Sequence, residues 1–311
     1  MPNVKWFTDR DASTGLGVAV QESTAPAATL TVPQLSPYTA PSDTRYMDIY
    51  MRGNGTSAYT VKPSAPYVTI TPNSGTLTAP GTSSDIRANI TVDWTSAPSG
   101  SSTVSIIVSD AKGTVAAVTL PITNTPVPPD FHGFVESNGV ISIEAEHYTT
   151  TTPTADIKYV TIPDYGRTLS GVTLWPVTIP SQSVSSGPKL SYNFYAFTVS
   201  KTAKLVVYLS SSLNSDPKRP LKYAFAVDDE APKVVQPVPS CALGATPSTC
   251  SGWTDAVVSG GWTVSSALSV NAGAHVLNIW ALEPGVVFTK LAIDLGGMKG
   301  SALGPPESMR V

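Results

Sequence analysis

At 311 residues, with 13% charged side chains and a formal charge of −3, the chain is too long for one typical β-sandwich and suits two domains. Its 19 Lys and Arg against 22 Asp and Glu form no basic run, which leaves no electrostatic case for nucleic acid or an anionic membrane. No apolar run reaches the roughly 20 residues that span a bilayer, and 41% hydrophobic residues are ample for packed cores.

Residues 1–27 read as an irregular lead-in, with Trp6 and Phe7 as anchors and a linker at 24–27. The opening MPNVKWFTDRDAS lacks a basic stretch followed by an apolar one, so no signal peptide is expected in this chain. The Ser/Thr-rich composition nevertheless points to an extracellular protein, and a secreted parent with a further N-terminal part would explain both observations. Two glycan acceptor triplets begin at Asn54 and Asn89.

From residue 28 to 125 the pattern is short β-runs separated by turn residues: ATLTVPQL, RYMDIYMRG, SAYTVKPS, YVTITPNSG, IRANITVDW, TVSIIVSD and TVAAVTLPIT. Such spacing predicts an immunoglobulin-like sandwich without a cysteine pair across it. Asp110 to Gly113 reads as a hairpin turn. Residues 126–130, with Pro126, Pro128 and Pro129, form an extended linker because each proline disfavours helix in the residue before it.

The second module, 131–311, opens on FVESNGVISIEAEHY. Asn138-Gly139 predicts a turn, and the strand after it places Ile141, Ile143 and Ala145 on one face and Ser142, Glu144 and Glu146 on the other. Further runs are IKYVTI, GVTLWPVTI, KLSYNFYAFTV, AKLVVYLSS, KYAFAVD, KVVQPV, GWTVSSALSV, HVLNIWAL and VVFTKLAIDL. They predict a second, larger sandwich with long loops at 149–155, 210–220 and 238–256, and a tail from Gly296 that crosses the surface. No segment carries the 3.6-residue apolar period of barrel helices. The fold class is therefore all-β: two antiparallel β-sandwiches, with no catalytic barrel.

Glu144 and Glu146 on one strand face admit three readings. They are solvated, or they hold a hard cation such as calcium together with Asp294 from the last strand, or Lys290 neutralises them. Asp228, Asp229 and Glu230 read as a hairpin tip. No HExxH, GxSxG, P-loop or CxxC pattern occurs, so no nucleotide or redox cofactor is expected and no catalytic residue is assigned. Cys241 and Cys250 are expected to pair and pin a loop. Trp175, Trp253, Trp262 and Trp280, with Tyr165 and Tyr195, are candidates for stacking on sugar rings; Trp280 in LNIWAL reads as core, and Trp175 and Trp253, beside turn residues, are the ones expected to be exposed.

The stretches GFVESNGVISIEAEHY, IPDYGRTLSGVTLWPVT, AFAVDDEAPKVV, SVNAGAHVLNIWALEPGVVFTKLAIDLGG and GSALGPPES together resemble the C-terminal domain of glycoside hydrolase family 115. That resemblance implies a secreted xylan α-1,2-glucuronidase as parent, releasing glucuronic or 4-O-methylglucuronic acid, with its chemistry in an N-terminal barrel region. The opening strand is also similar to that of family 6 and family 35 carbohydrate-binding modules, which implies a jelly-roll, carbohydrate-binding-module-like fold for the second sandwich and a structural calcium at Glu144, Glu146 and Asp294. Two functions follow. In one, the sandwiches buttress the catalytic region of the parent and support a homodimer. In the other, the chain is an independent module for glucuronoxylan or another plant cell-wall polysaccharide, with Trp175 and Trp253 as its platform.

Overall fold

The computed structural model describes residues 15–21, 29–154, 156–214, 216, 218–239 and 252–311. The chain divides into two compact units, Met1–Pro126 and Val127–Val311.

The first unit contains β1 (Leu16–Val20), β2 (Thr29–Thr31), β3 (Arg45–Met51), β4 (Gly55–Pro63), β5 (Val68–Thr71), β6 (Ser74–Ala79), β7 (Asp85–Val92), β8 (Gly100–Asp110) and β9 (Gly113–Asn124). A four-stranded sheet, β1-β3-β7-β5, packs on a five-stranded sheet, β2-β9-β8-β4-β6. Pairing is antiparallel except for β2 along β9. Met47, Ile49, Ala88 and Ile90 of the first sheet share one core with Val61, Leu77, Ile106 and Leu120 of the second. The period-2 alternation of each strand sends these residues inward. β8 turns into β9 through Ala111 and Lys112, with the Lys112 N–H donating to Asp110 Oδ1 at 2.7 Å.

Two strands here were hidden in the sequence. The segment read as lead-in holds β1, whose Leu16, Val18 and Val20 are buried and which pairs antiparallel with β3. Gly17 leaves room there for the ring of Tyr50, since a Cβ would stand 2.5 Å from it. β6 buries a single apolar side chain, Leu77, so it carries no visible alternation.

The second unit runs β10 (Phe134–Val135), β11 (Val140–Glu144), β12 (Thr150–Thr152), β13 (Lys158–Ile162), β14 (Gly171–Trp175), β15 (Lys189–Ala196), β16 (Ser200–Leu209), β17 (Tyr223–Val227), β18 (Lys233–Val235), α1 (Trp253–Val258), β19 (Trp262–Val270), β20 (Gly273–Ala281) and β21 (Phe288–Asp294). One six-stranded sheet has the order β10-β15-β20-β17-β18, with β12 also on β15; the other is β13-β14-β21-β16-β19, with β11 also on β21. All these pairs are antiparallel except β10 with β15. Between the sheets lies a core that includes Ile141, Ile143, Leu174, Phe194, Phe225, Leu277, Phe288 and Leu291.

Three phenols sit inside this core. Tyr192 donates to the Ala145 carbonyl at 2.7 Å, and Tyr159 accepts from the Ala281 N–H at 2.8 Å. Burial pushes the hydroxyls of Tyr159, Tyr192 and Tyr223 above the ordinary 10.0, because the interior disfavours phenolate. Above pH 10 the unfolded chain loses these protons while the folded chain keeps them. Their contribution to stability is therefore complete below pH 10 and declines as pH rises beyond it. Spectrophotometric titration should show these tyrosines ionising only together with unfolding; reversible ionisation in the folded state would contradict their burial.

Candidate functional site

The site grows from the start of β11. Asn138 and Gly139 both adopt positive φ, 53° and 72°, which closes the two-residue turn that Asn-Gly favours. Ile141 and Ile143 then point into the core, and Ser142 and Glu144 point to the outer face of the sheet. The antiparallel register sets Glu144 opposite Lys290 of β21. Directly opposed residues on one face bring their Cβ atoms within about 5.5 Å.

Glu144 and Lys290 are both buried, the lysine at 1% exposure. The Lys290 ammonium stands 3.0 Å from Glu144 Oε1 and donates to the carbonyls of Pro305 at 3.1 Å and Leu303 at 3.3 Å. Thr168, in the β13–β14 loop, donates to the same carboxylate oxygen at 2.5 Å. A buried charge is tolerated only when paired and hydrogen-bonded, and three oxygens match the three donors of an ammonium.

The C-terminal segment closes over this pair. The Glu144 N–H donates to Glu307 Oε1 at 2.9 Å, and His147 Nδ1 lies 2.8 and 3.0 Å from the two Glu307 oxygens. Ser142 exchanges bonds with Ser308 and donates its hydroxyl to the Pro305 carbonyl. Gly304, at φ 75°, leaves space that a Cβ would take from the Tyr208 ring at 3.0 Å and the Lys290 stem at 3.3 Å. Arg167 adds a bond to the Ala302 carbonyl at 2.9 Å.

A family model described as the glycosyl hydrolase family 115 C-terminal domain matches residues 133–307, the span that contains this whole arrangement. The chain belongs to that family. Among solved structures, the chain is similar to a family 115 4-O-methyl-α-glucuronidase with specificity for decorated arabinogalactans, at 16% identity and TM-score 0.33. That match covers 47% of this chain and 17% of the enzyme. It is also similar to a family 35 carbohydrate-binding module from Clostridium thermocellum, at 17% identity over 49% of this chain and 97% of the module, TM-score 0.32. A carbohydrate-binding module from Cellvibrio mixtus lichenase 5A in complex with cellotriose stands at 18% identity, 49% and 95% coverage and TM-score 0.30. No curated protein matches the chain.

Within this family 115 domain the three carboxylates expected to hold calcium do not meet. Asp294 lies opposite Val140, four register positions from Glu144, or about 13 Å along the strand. Its Oδ1 accepts the N–H groups of Gly296 and Met298 at 2.8 and 3.1 Å, closing the turn after β21. Glu146 falls in the turn beyond the end of β11, where strand alternation no longer applies. Calcium takes 6–8 oxygen ligands. Among the described residues no three His, Cys, Asp or Glu side chains are grouped to hold a metal ion. The residues present do not fit the implied calcium site, whereas the alternative pairing of Glu144 with Lys290 is what the register builds.

The aromatic candidates separate as well. Trp175 is 51% exposed at the end of β14, directly opposite Lys158 of β13. Tyr165 is also exposed but belongs to the loop at the other end of the same strand. Trp253 is not an open platform: it begins α1, packs on the core and faces the ring of Trp262 at 6.4 Å. Tyr195 leans on Phe131 and Phe197. Asn54 and Asn89 are exposed. Cys241 and Cys250 lie outside the described residues.

Several charged groups act as structural clips; the sequence reads Asp228 as part of a hairpin tip and does not single out Glu136, Arg219 or Glu283. Buried Glu136 accepts from the N–H groups of Phe197 and Thr198 at 2.6 and 2.8 Å and from the Thr198 hydroxyl, which fixes the β15–β16 turn. Arg219 pairs with Glu283 at 2.7 Å and reaches the Ile179 carbonyl. Asp228, at the β17 end, holds His275 Nδ1 at 2.7 Å and the Val276 N–H at 2.8 Å. Of the three not singled out, Glu136 alone had an accessible signal, a carboxylate just before a turn and within an apolar run.

Glu144→Gln would leave the Lys290 ammonium without its counter-charge. Breaking a buried pair costs about 3 kcal/mol or more, so the urea midpoint of the second unit should fall clearly. An unchanged midpoint would show that the pair contributes nothing.

Proposed function

We propose that the chain is the accessory C-terminal portion of a secreted xylan α-1,2-glucuronidase, with a structural and assembly role beside a catalytic region of the parent. The observation that carries this reading is the use of the buried acidic side chains in the family 115 segment. Glu136, Glu144 and Glu283 each hold a turn, an ammonium or a guanidinium of the same unit. Glycoside hydrolysis needs two carboxyl groups facing one sugar from roughly 5 to 9.5 Å apart, and carboxylates committed in this way do not face a cleft. The purified chain should release no uronic acid from glucuronoxylan. When mixed with a separately produced catalytic region of a family 115 glucuronidase, it should bind that region and raise its melting temperature. Release of uronic acid by the chain alone, or no association, would count against the reading.

A second reading, carbohydrate binding, is favoured by one feature. Exposed Trp175 offers an indole face for stacking on a pyranose, and Lys158, its cross-strand neighbour, is exposed, with an ammonium that makes no ion pair or hydrogen bond among the described residues. An aromatic plate beside a free ammonium suits a sugar that carries a carboxylate. Affinity electrophoresis in glucuronoxylan should retard the chain, and Trp175→Ala should abolish the retardation. Equal migration with and without the polysaccharide would remove this reading.

A further inference from the structure

We propose that Lys290 supplies the cation of the Glu144 site from within the chain, so that the second unit fastens its C-terminal segment with an ammonium and takes up no divalent metal there. The oxygens around its Nζ are one carboxylate oxygen and two backbone carbonyls, at 3.0, 3.1 and 3.3 Å. That is a set of hard oxygen ligands of the kind that attracts a metal ion. Its spacing, however, is that of N–H···O bonds, not the 2.3–2.6 Å of calcium. Its number matches an ammonium and falls short of a calcium shell. A fixed positive charge already in contact with Glu144 repels a second cation. Asp294, the acid that would have completed a metal site, is spent on two backbone N–H groups. Glu144 Oε2 is buried without a protein partner among the described residues. A single free oxygen beside a lysine gives a divalent ion, which takes 6–8 oxygen ligands, too little to hold.

The arrangement also explains why residues without periodic pattern stay in place. Leu303 and Pro305 present carbonyls to Lys290, and Glu307 receives the backbone of Glu144 and the ring of His147. The segment therefore docks on the charge as much as on apolar surface. Gly304 belongs to the same device, because a larger residue would displace the lysine stem.

The test uses the whole chain. Its melting temperature is measured in EDTA and in millimolar calcium, and again for Lys290→Met, with limited proteolysis mapping the C-terminal segment. The expected results are no shift of the wild type in either condition and a fall of roughly 10 °C in the variant. Calcium should not restore the variant, and its residues beyond 300 should become protease-sensitive. A wild type that loses stability in EDTA or gains it from calcium overturns the proposal, as does a variant that melts like the wild type with its tail still protected. If Lys290→Met does not fold, the chelator and calcium arms on the wild type decide the matter alone.

Discussion

An ammonium in the middle of a β-sheet has to find three oxygens, and in this protein that requirement draws four separate segments together. Lys290 occupies an outward position on β21 but is almost completely covered. The register of β11 delivers one acceptor, Glu144, and the C-terminal segment delivers two carbonyls. The β13–β14 loop contributes Thr168 to Glu144 and Arg167 to the tail. The charge must be satisfied wherever it is buried, so each segment is held by a partner distant in sequence. Around the pair, Val206, Tyr208 and Ala292 form a small apolar cluster with Met298 against it. Polar and apolar contacts thus cover one outer face of the sheet.

The same economy runs through the rest of the second unit. Glu136 ties β10 to the β15–β16 turn, Arg219 joins Glu283 across the loops, and Asp228 with His275 fixes the end of β17 against β20. A sandwich of two six-stranded sheets has many edges and long connections, and these clips fasten connections that apolar packing alone leaves open. Truncating one partner of the buried Lys290–Glu144 pair leaves the other uncompensated, whereas Arg219 and Asp228 keep contact with water and their clips contribute less.

Much of the architecture was legible because strands announce themselves by alternation and turns by a few residue types. The Asn138-Gly139 turn and the inward Ile141 and Ile143 follow from that grammar directly. The strands that went unread have physical excuses. β1 is five residues long and carries Gly17 and Ala19, not polar residues, between its inward Leu16, Val18 and Val20, so no apolar/polar alternation shows; β6 buries one side chain, and β12, three exposed threonines inside the expected loop 149–155, buries none. Site residues were harder. Parity placed Glu144 and Asp294 on one face, but parity does not reveal register, and a shift of four positions separates residues that share a face. Trp253 looked exposed beside Gly252, yet tertiary packing against Trp262 covers it. The tail offered no pattern because backbone acceptors such as the Leu303 and Pro305 carbonyls leave no trace in residue identity, and its side-chain contacts through Glu307 and Ser308 follow no period.

The most direct test of this account is a crystal structure of the chain soaked in a calcium-mimicking lanthanide, with an anomalous difference map. If the ammonium fills the site, no anomalous peak stands beside Glu144 and the Lys290 nitrogen lies within hydrogen-bonding distance of Glu144, Leu303 and Pro305. A strong peak at the Glu144 carboxylate, with the lysine displaced, would contradict it.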